Sequence, residues 1–276
     1  MYPAIFARTY PFTDAAQVFA AAAADGYRGV QFNLVSTGLP ALPQRLPHGL
    51  AEKIKHQAHA AGVALAALSG TYNMAHPDPG VRASSRKAFA NVVEAARRMG
   101  APVVTLCTGS RDPEDMWKRH PDNQSALAWS VLRSELDFAL SLAATAGIKL
   151  AVEPEPGNVV NDAQAAWRLL HEVASPLLGI VLDPANLLSP QTLPTQHEVI
   201  ARAAQLLGGS LLLAHIKDID SSGRVTAPGS GAVDLPAFVA ALRSIAYDGP
   251  LIAHGFSEEN SAKVSSVLVD LIGIPE

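Results

Sequence analysis

GIKLAVEPEPGNVVNDAQAAWRLLHEVASPLLGIVLDPAN, residues 147–186, holds one complete turn of the pattern that decides the fold. An aliphatic run, Ile148 to Glu153, is followed by a helix-favouring segment, Asp162 to Ala174, and then by a second aliphatic run, Leu178 to Asp183. Gly147 stands where the preceding helical segment must end, because glycine enters the left-handed backbone region most cheaply. Asp162 stands where a side-chain oxygen can accept from the amides of a first helical turn. Strand, helix and strand in this order make a β-α-β unit.

The same unit recurs in both directions. Further apolar runs lie at Pro3 to Ala7, Gly29 to Leu34, Val63 to Ser69, Pro102 to Cys107, Leu211 to Lys217 and Pro250 to His254. Between and after the runs the spacing predicts helices at Asp14 to Asp25, His48 to Ala61, Val81 to Met99, Ser125 to Ala146, Thr195 to Leu207, Leu235 to Ile245 and Glu258 to Ile272. Gly26, Gly62 and Gly100 repeat the role of Gly147, and Asp14 and Asp234 that of Asp162. No linker rich in Pro, Gly or Ser interrupts the series, so residues 1–276 are read as one domain. Eight such units predict a single α/β (β/α)8 TIM barrel, whose usual size of about 250 residues suits the chain. A doubly wound open sheet is the other architecture with this element order. The sequence lacks the G-x-G-x-x-G and G-x-x-x-x-G-K-[ST] phosphate cradles that such sheets often carry.

Composition narrows the function classes. A hydrophobic fraction of 49%, a charged fraction of 17%, 20 Gly and 20 Pro are those of a globular chain. A formal net charge of -4 without any long basic cluster argues against nucleic acid as a partner. One cysteine, Cys107, excludes an intramolecular disulfide and a cysteine-only metal site. The opening residues lack the basic-then-apolar pattern of a secretory leader, and charges break every apolar segment before it could span a bilayer. The expected setting is cytoplasmic, with no membrane partner and a small-molecule substrate.

In a barrel of this kind chemistry gathers at the C-terminal ends of the strands. The last four runs end in Val152-Glu153-Pro154-Glu155, Leu182-Asp183-Pro184-Ala185-Asn186, His215-Ile216-Lys217-Asp218 and Ala253-His254-Gly255. Strand side chains alternate with period two, so Glu153 shares a face with Ala151, Asp183 with Val181, His215 with Leu213 and His254 with Ile252. Two carboxylates and two imidazoles turned inward together form a four-ligand site for a divalent metal ion. The competing reading is that such charges only cap helices, form ion pairs or face solvent. Among the loops, His76 either reaches substrate or braces its loop. Arg8 and Arg111 either bind an anionic or polyhydroxyl substrate or serve as ion-pair partners. Trp117, beside Met116, is placed to wall or cover the mouth, and Cys107 is read as a small buried residue.

At these strand ends the sequence resembles the xylose isomerase-like TIM barrel superfamily, often labelled sugar phosphate isomerases/epimerases. The matching segments are Val-Glu-Pro-Glu-Pro-Gly-Asn at 152–158, Leu-Asp-Pro-Ala-Asn at 182–186, His-Ile-Lys-Asp at 215–218 and Pro-Gly-Ser-Gly at 228–231. The resemblance implies metal ligation by Glu153, Asp183 and His215, with a Glu as fourth ligand on strand eight. Here His254 stands in that place, and Asn186 stands where a substrate-contacting His is frequent. In the epimerase members two Glu residues flank a cis-enediol intermediate, so one of that pair is replaced by His254. His254 is then either a ligand or an acid/base group, with Glu155 and Glu258 as alternative carboxylates. Exchanging a carboxylate for an imidazole shifts preference from Mg towards Mn, Zn or Co.

The resemblance therefore implies a metal-dependent isomerase or epimerase of a small sugar, sugar acid or polyol-derived ketone, acting through an enediolate. Glu153 is expected as ligand and base, Lys217 as oxyanion partner or strand-end brace, and Arg8, His76, Arg111, Glu155 and Asn186 as substrate contacts. The alternatives are a metal-dependent dehydratase of a keto-polyol and a non-catalytic binding barrel. Aromatic residues in the mouth loops leave room for a homo-oligomer in which they close a neighbouring subunit's pocket.

Overall fold

A computed structural model describes residues 1–273. In chain order its elements are β1 (Tyr2–Phe6), α1 (Ala15–Ala24), β2 (Gly29–Phe32), α2 (Leu50–Ala60), β3 (Ala64–Ser69), α3 (Pro79–Met99), β4 (Val103–Cys107), α4 (Ala126–Ala146), β5 (Lys149–Glu153), α5 (Ala163–Val173) and β6 (Leu178–Leu182). There follow α6 (Pro184–Leu187), α7 (Gln196–Leu207), β7 (Leu211–Ile216), β8 (Asp218–Ile219), β9 (Val225–Thr226), α8 (Leu235–Ser244), β10 (Pro250–Ala253) and α9 (Ser261–Ile272). Eight strands close in the order β1-β10-β7-β6-β5-β4-β3-β2, every neighbouring pair parallel. This is the (β/α)8 barrel that the repeating units predict.

Punctuation sets the element ends. Asp14, Asp162 and Asp234 each accept a hydrogen bond from an amide in the first turn of α1, α5 and α8. Gly26, Gly62, Gly100 and Gly147 all have positive φ. Helix α3 begins two residues before the expected Val81, because Asp78 caps it and Pro79 occupies a first-turn position that needs no amide hydrogen. Asp183, Lys217 and His254, read as the last residues of their strands, lie one step beyond them. The short helix α6 and the β8-β9 hairpin have no counterpart in the sequence reading. Among the described residues no helix is long and apolar enough to cross a membrane.

Alternation along the strands divides the core in two. Ile5, Val30, Leu68, Val104, Leu150, Ile180, Ala214 and Leu251 face the helices and join the larger cluster. Ala4, Ala67, Val103, Ala151, Val181, Leu213 and Ile252 fill the barrel interior. Small residues on that inner face make room for rings: a Cβ on Gly29 would lie 2.8 Å from Cε2 of Tyr2.

The next inward position of each strand, two residues on, is Phe6, Gln31, Ser69, Thr105, Glu153, Asp183, His215 and His254. The fold therefore lays an apolar floor and sets one ring of side chains on it.

Gly70 tests how tightly this ring is placed. It follows Ser69, and a Cβ there would sit 2.5 Å from Val104 Cγ1 and 3.0 Å from Phe89 Cε2. Gly70→Ala is expected to destabilise the fold by about 1–3 kcal/mol through overpacking. The measurement is the denaturant midpoint at unchanged slope; an unshifted midpoint would show that β3 yields at no cost.

Candidate functional site

Every member of the ring but Asp183 lines a cavity of about 340 Å³ at the C-terminal end of the barrel. The ring's two halves differ chemically. Strands β1 to β4 contribute Phe6, Gln31, Ser69 and Thr105, all uncharged, whereas the ends of β5, β6, β7 and β10 contribute Glu153, Asp183, His215 and His254. One ligand atom from each of those four residues lies within 4.8 Å of all the others.

Asp183 serves two purposes. Its Oδ1 accepts from Ala185 N at 2.9 Å, which starts α6 at Pro184, while Oδ2 lies 3.1 Å from His254 Nε2. Capping and site formation, which the sequence set against each other, are both performed by this carboxylate. The two imidazoles meet edge to face with centroids 4.6 Å apart, and Phe6 packs edge to face against His254 at 6.0 Å. Nε2 of His215 is 2.7 Å from Gln31 Oε1, and Gln31 Nε2 donates in turn to Thr105 Oγ1 at 3.3 Å. Nδ1 of His215 is buried, 3.2 Å from Glu153 Oε1, and has no hydrogen-bond partner.

Lys217 sits behind the carboxylates. Its ammonium donates to Asn186 Oδ1 at 2.8 Å and lies 3.4 Å from Asp183, 3.7 Å from Glu155 and 3.9 Å from Glu153. Asn186 completes the brace by donating through Nδ2 to Glu153 Oε1 at 3.0 Å and to the Pro154 carbonyl at 3.1 Å. Burial opposes the charge on Lys217, but Asp183, Glu153 and Glu155 outweigh it and hold the ammonium above its ordinary range. Burial is likewise outweighed at Asp183 by Lys217 and His254, and at Glu153 by His215 and Lys217, so both carboxyls lie below their usual values. Glu155 is the reverse: burial, reinforced by Glu153, pushes it up to about 7. Burial and the neighbouring His215 lower His254.

The donor set fits a divalent cation. A buried imidazole nitrogen without a partner, beside two carboxylates and a second imidazole, is chemistry that a borderline metal ion satisfies. Three carboxylates facing one ammonium also leave two formal negative charges in excess when all are ionised.

The other sequence-selected residues are distributed unequally. Arg8 and Glu155 line the cavity. His76 lies outside the lining, with Nε2 3.0 Å from the Pro113 carbonyl and Nδ1 accepting from Asp78 N. Arg111 also lies outside it and donates to the Ala75 carbonyl at 3.1 Å. Asn186, Lys217 and Glu258 do not line the cavity either. Cys107 is buried at the edge of the floor, close to Glu153 and Glu155, and burial pushes its thiol up. Sequence reasoning missed Gln31, Thr105, Ser69 and Thr71, the uncharged wall; the phase of their strands was the available signal.

Met116 and Trp117 form the outer wall, and their segment is anchored to the loop after β5. Asn158 accepts from Gly109 N at 2.7 Å and donates to the Met116 carbonyl at 2.9 Å. Asn123 donates to the Gly157 carbonyl at 2.8 Å, and a Cβ on Gly157 would collide with the Trp117 carbonyl. Trp117 is 51% exposed on a segment held by hydrogen bonds, which makes it a fixed wall.

Comparison with known proteins gives a family match and structural likenesses. A family model described as xylose isomerase-like TIM barrel matches residues 19–269. No curated protein matches the sequence significantly. Among solved structures, D-psicose 3-epimerase from Clostridium cellulolyticum H10 with D-tagatose is similar at 14% identity and TM-score 0.78, over 99% of this chain and 98% of that one. A zinc-binding IolI protein is similar at 18% identity and TM-score 0.73, over 99% and 98% of the two chains. A xylose isomerase-like TIM barrel/4-hydroxyphenylpyruvate dioxygenase fusion protein is similar at 18% identity and TM-score 0.74; 98% of this chain is covered but 42% of the fusion.

Asn158→Ala tests the anchored wall. It leaves the buried Gly109 amide without its acceptor, which costs about 1–3 kcal/mol. Tryptic cleavage at Arg111, Lys118 or Arg119 is expected to quicken relative to other sites; an unchanged cleavage rate would mean the segment is held elsewhere.

Proposed function

The chain belongs to the xylose isomerase-like TIM barrel family, and from that premise we propose that it is a metal-dependent isomerase or epimerase of a small sugar, sugar acid or polyol-derived ketone. The observation that carries the reading is the convergence of Glu153, Asp183, His215 and His254, three of which line the cavity while Asp183 lies beside them, with His215 Nδ1 unpartnered. These four residues would hold a divalent cation, and two imidazoles in the set favour Mn, Zn or Co over Mg. When bound, such an ion supplies charge stabilisation for an oxyanion beside an acidic carbon. The zinc in the IolI structure and the sugar in the psicose epimerase structure are properties of those proteins that agree with this reading.

The chain's own residues carry the proton. Glu153 is assigned as base: it opens onto the cavity, and Asn186 holds its Oε1 against the backbone of Pro154. It would take the proton from the hydroxyl-bearing carbon beside the carbonyl and return it to the former carbonyl carbon, while the hydroxyl proton passes to the former carbonyl oxygen, so that the isomer forms with no net loss of atoms. Lys217, behind the carboxylates, would keep Glu153 and Asp183 ionised rather than touch substrate. Glu155, Arg8 and the uncharged wall of Gln31, Ser69, Thr71 and Thr105 would hydrogen-bond the hydroxyls, while Phe6, Met116 and Trp117 shut out water. Of the two carboxylates that open onto the cavity, Glu153 ends β5 and Glu155 follows it, and Nε2 of His254 is turned to Asp183. That arrangement favours return of the proton to the face it left, the stereochemistry of a 1,2-isomerisation.

The experiment pairs metal content with hydrogen exchange. Elemental mass spectrometry is expected to find near-stoichiometric metal in the wild type and little in Asp183→Ala or His254→Ala. In D2O the loaded protein is expected to exchange the α-proton of a ketose or keto-polyol, and Glu153→Gln to slow exchange by about 10²–10⁴-fold. A product lighter by one water would assign a dehydratase instead. Loading without exchange on any such compound would assign a binding barrel, and absence of loading would overturn the metal reading.

A further inference from the structure

His215 is the one member of the cluster whose two ring nitrogens face different partners. Nε2 meets Gln31 Oε1 at 2.7 Å across the barrel, from a residue 184 positions earlier, while Nδ1 is directed to Glu153 and has no hydrogen-bond partner. Gln31 is itself fixed: it is 3% exposed, and Thr105 Oγ1 accepts from its Nε2 at 3.3 Å. A carboxamide oxygen can only accept, so Nε2 carries a proton, and in the neutral ring the lone pair is then on Nδ1.

We propose that Gln31 is a positioning residue that fixes the ring orientation and tautomer of His215, presenting Nδ1 to a divalent cation in the cluster, and that its uncharged amide suits a site already rich in carboxylates. The proposal rests on the metal reading given above. Partners of metal-bound histidines are commonly carboxylates, carbonyls or water. A carboxylate at position 31 would accept the same hydrogen bond more strongly but would add a further buried negative charge to Glu153, Glu155 and Asp183, which share one ammonium. Gln31 therefore supplies the acceptor without enlarging that excess. Its place in the cavity lining also puts the amide beside bound substrate, so one side chain connects the uncharged wall to the ligand set.

The test uses Gln31→Leu, which removes the acceptor, and Gln31→Glu, which keeps it. Zn2+ affinity is measured by competition with a chromophoric chelator, and the tautomer of His215 by 15N NMR of the metal-free protein at mildly alkaline pH, assigned with His215→Ala. The wild type is expected to show the Nε2-protonated ring. Gln31→Leu is expected to lose that preference and to bind Zn2+ about 10–100-fold more weakly. Gln31→Glu is expected to retain the tautomer and to bind Zn2+ at least as tightly as wild type, which also separates positioning from a folding defect. A wild-type ring protonated at Nδ1, or a Gln31→Leu protein with unchanged tautomer and affinity, overturns the proposal. Failure of the wild type to bind Zn2+ overturns the cation assignment alone, and the tautomer comparison still decides whether Gln31 holds the ring.

Discussion

Two buried carboxylates and a third that is partly buried share one ammonium at the mouth of the barrel, and most of the site's architecture answers that constraint. An ionised carboxylate withdrawn from water is costly unless charge and hydrogen bonds replace the lost hydration. Lys217 lies within 3.9 Å of Glu153, Glu155 and Asp183, but one cation cannot offset three anions. The remaining compensation comes from polar hydrogens: Asn186 for Glu153, and the first turn of α6 and His254 for Asp183. Glu155 receives the least, and its carboxyl has the raised proton affinity that follows. A divalent cation among the ligand atoms would cancel the excess that these devices leave.

The closed barrel turns this local chemistry into a one-sided cavity. Ala151, Val181, Leu213 and Ile252 form dry floor beneath Glu153, Asp183, His215 and His254, so each of those side chains is directed upward by its strand with no route back into the core. Across the barrel, the corresponding positions above Ala4, Ala67 and Val103 carry Phe6, Ser69 and Thr105. A polyhydroxyl molecule between these halves would meet ligating charge on one side and neutral hydrogen-bonding groups on the other. The anchored Met116-Trp117 segment bounds it from above through Asn158 and Asn123. Preorganisation of this kind places the entropic cost in folding rather than in binding.

Much of this was legible in the sequence, because the relevant signals are local. Glu153, Asp183 and His254 each end an aliphatic run, His215 stands two residues before the end of its own, and their phase with Ala151, Val181, Leu213 and Ile252 follows from period two alone. Gln31 escaped because it is neutral, sits inside the run Gly29 to Leu34 rather than at its end, and meets a partner 184 positions away in the chain. The brace between Asn186 and Lys217 escaped for a similar reason, since it depends on how two loops close behind the strands. The β8-β9 hairpin is too short for periodicity; Asp218 holds the loop after it by accepting from Gly229, Gly231 and Val233 amides. His76 and Arg111 carried chemistry-bearing side chains into the right loops, but both are occupied by backbone carbonyls of their neighbours.

His254 is best understood through the same charge constraint. The family resemblance implies a glutamate at the end of the eighth barrel strand, and adding one there while keeping Glu155 would place a fourth carboxylate around Lys217. With an imidazole at 254 and a carboxylate at 155, a third negative group is retained but stands on the cavity wall rather than in the ligand cluster. The exchange keeps the electrostatic load on Lys217 at three carboxylates. It also changes what faces the cavity: the end of β5 and the loop after it bring Glu153 and Glu155 there, and the β10 side offers an imidazole packed against Phe6 with its Nε2 beside Asp183. A site so arranged has both of its cavity-facing carboxylates on one side, and the side from which a bound molecule could lose a proton is thereby tied to where the fold tolerates a negative charge.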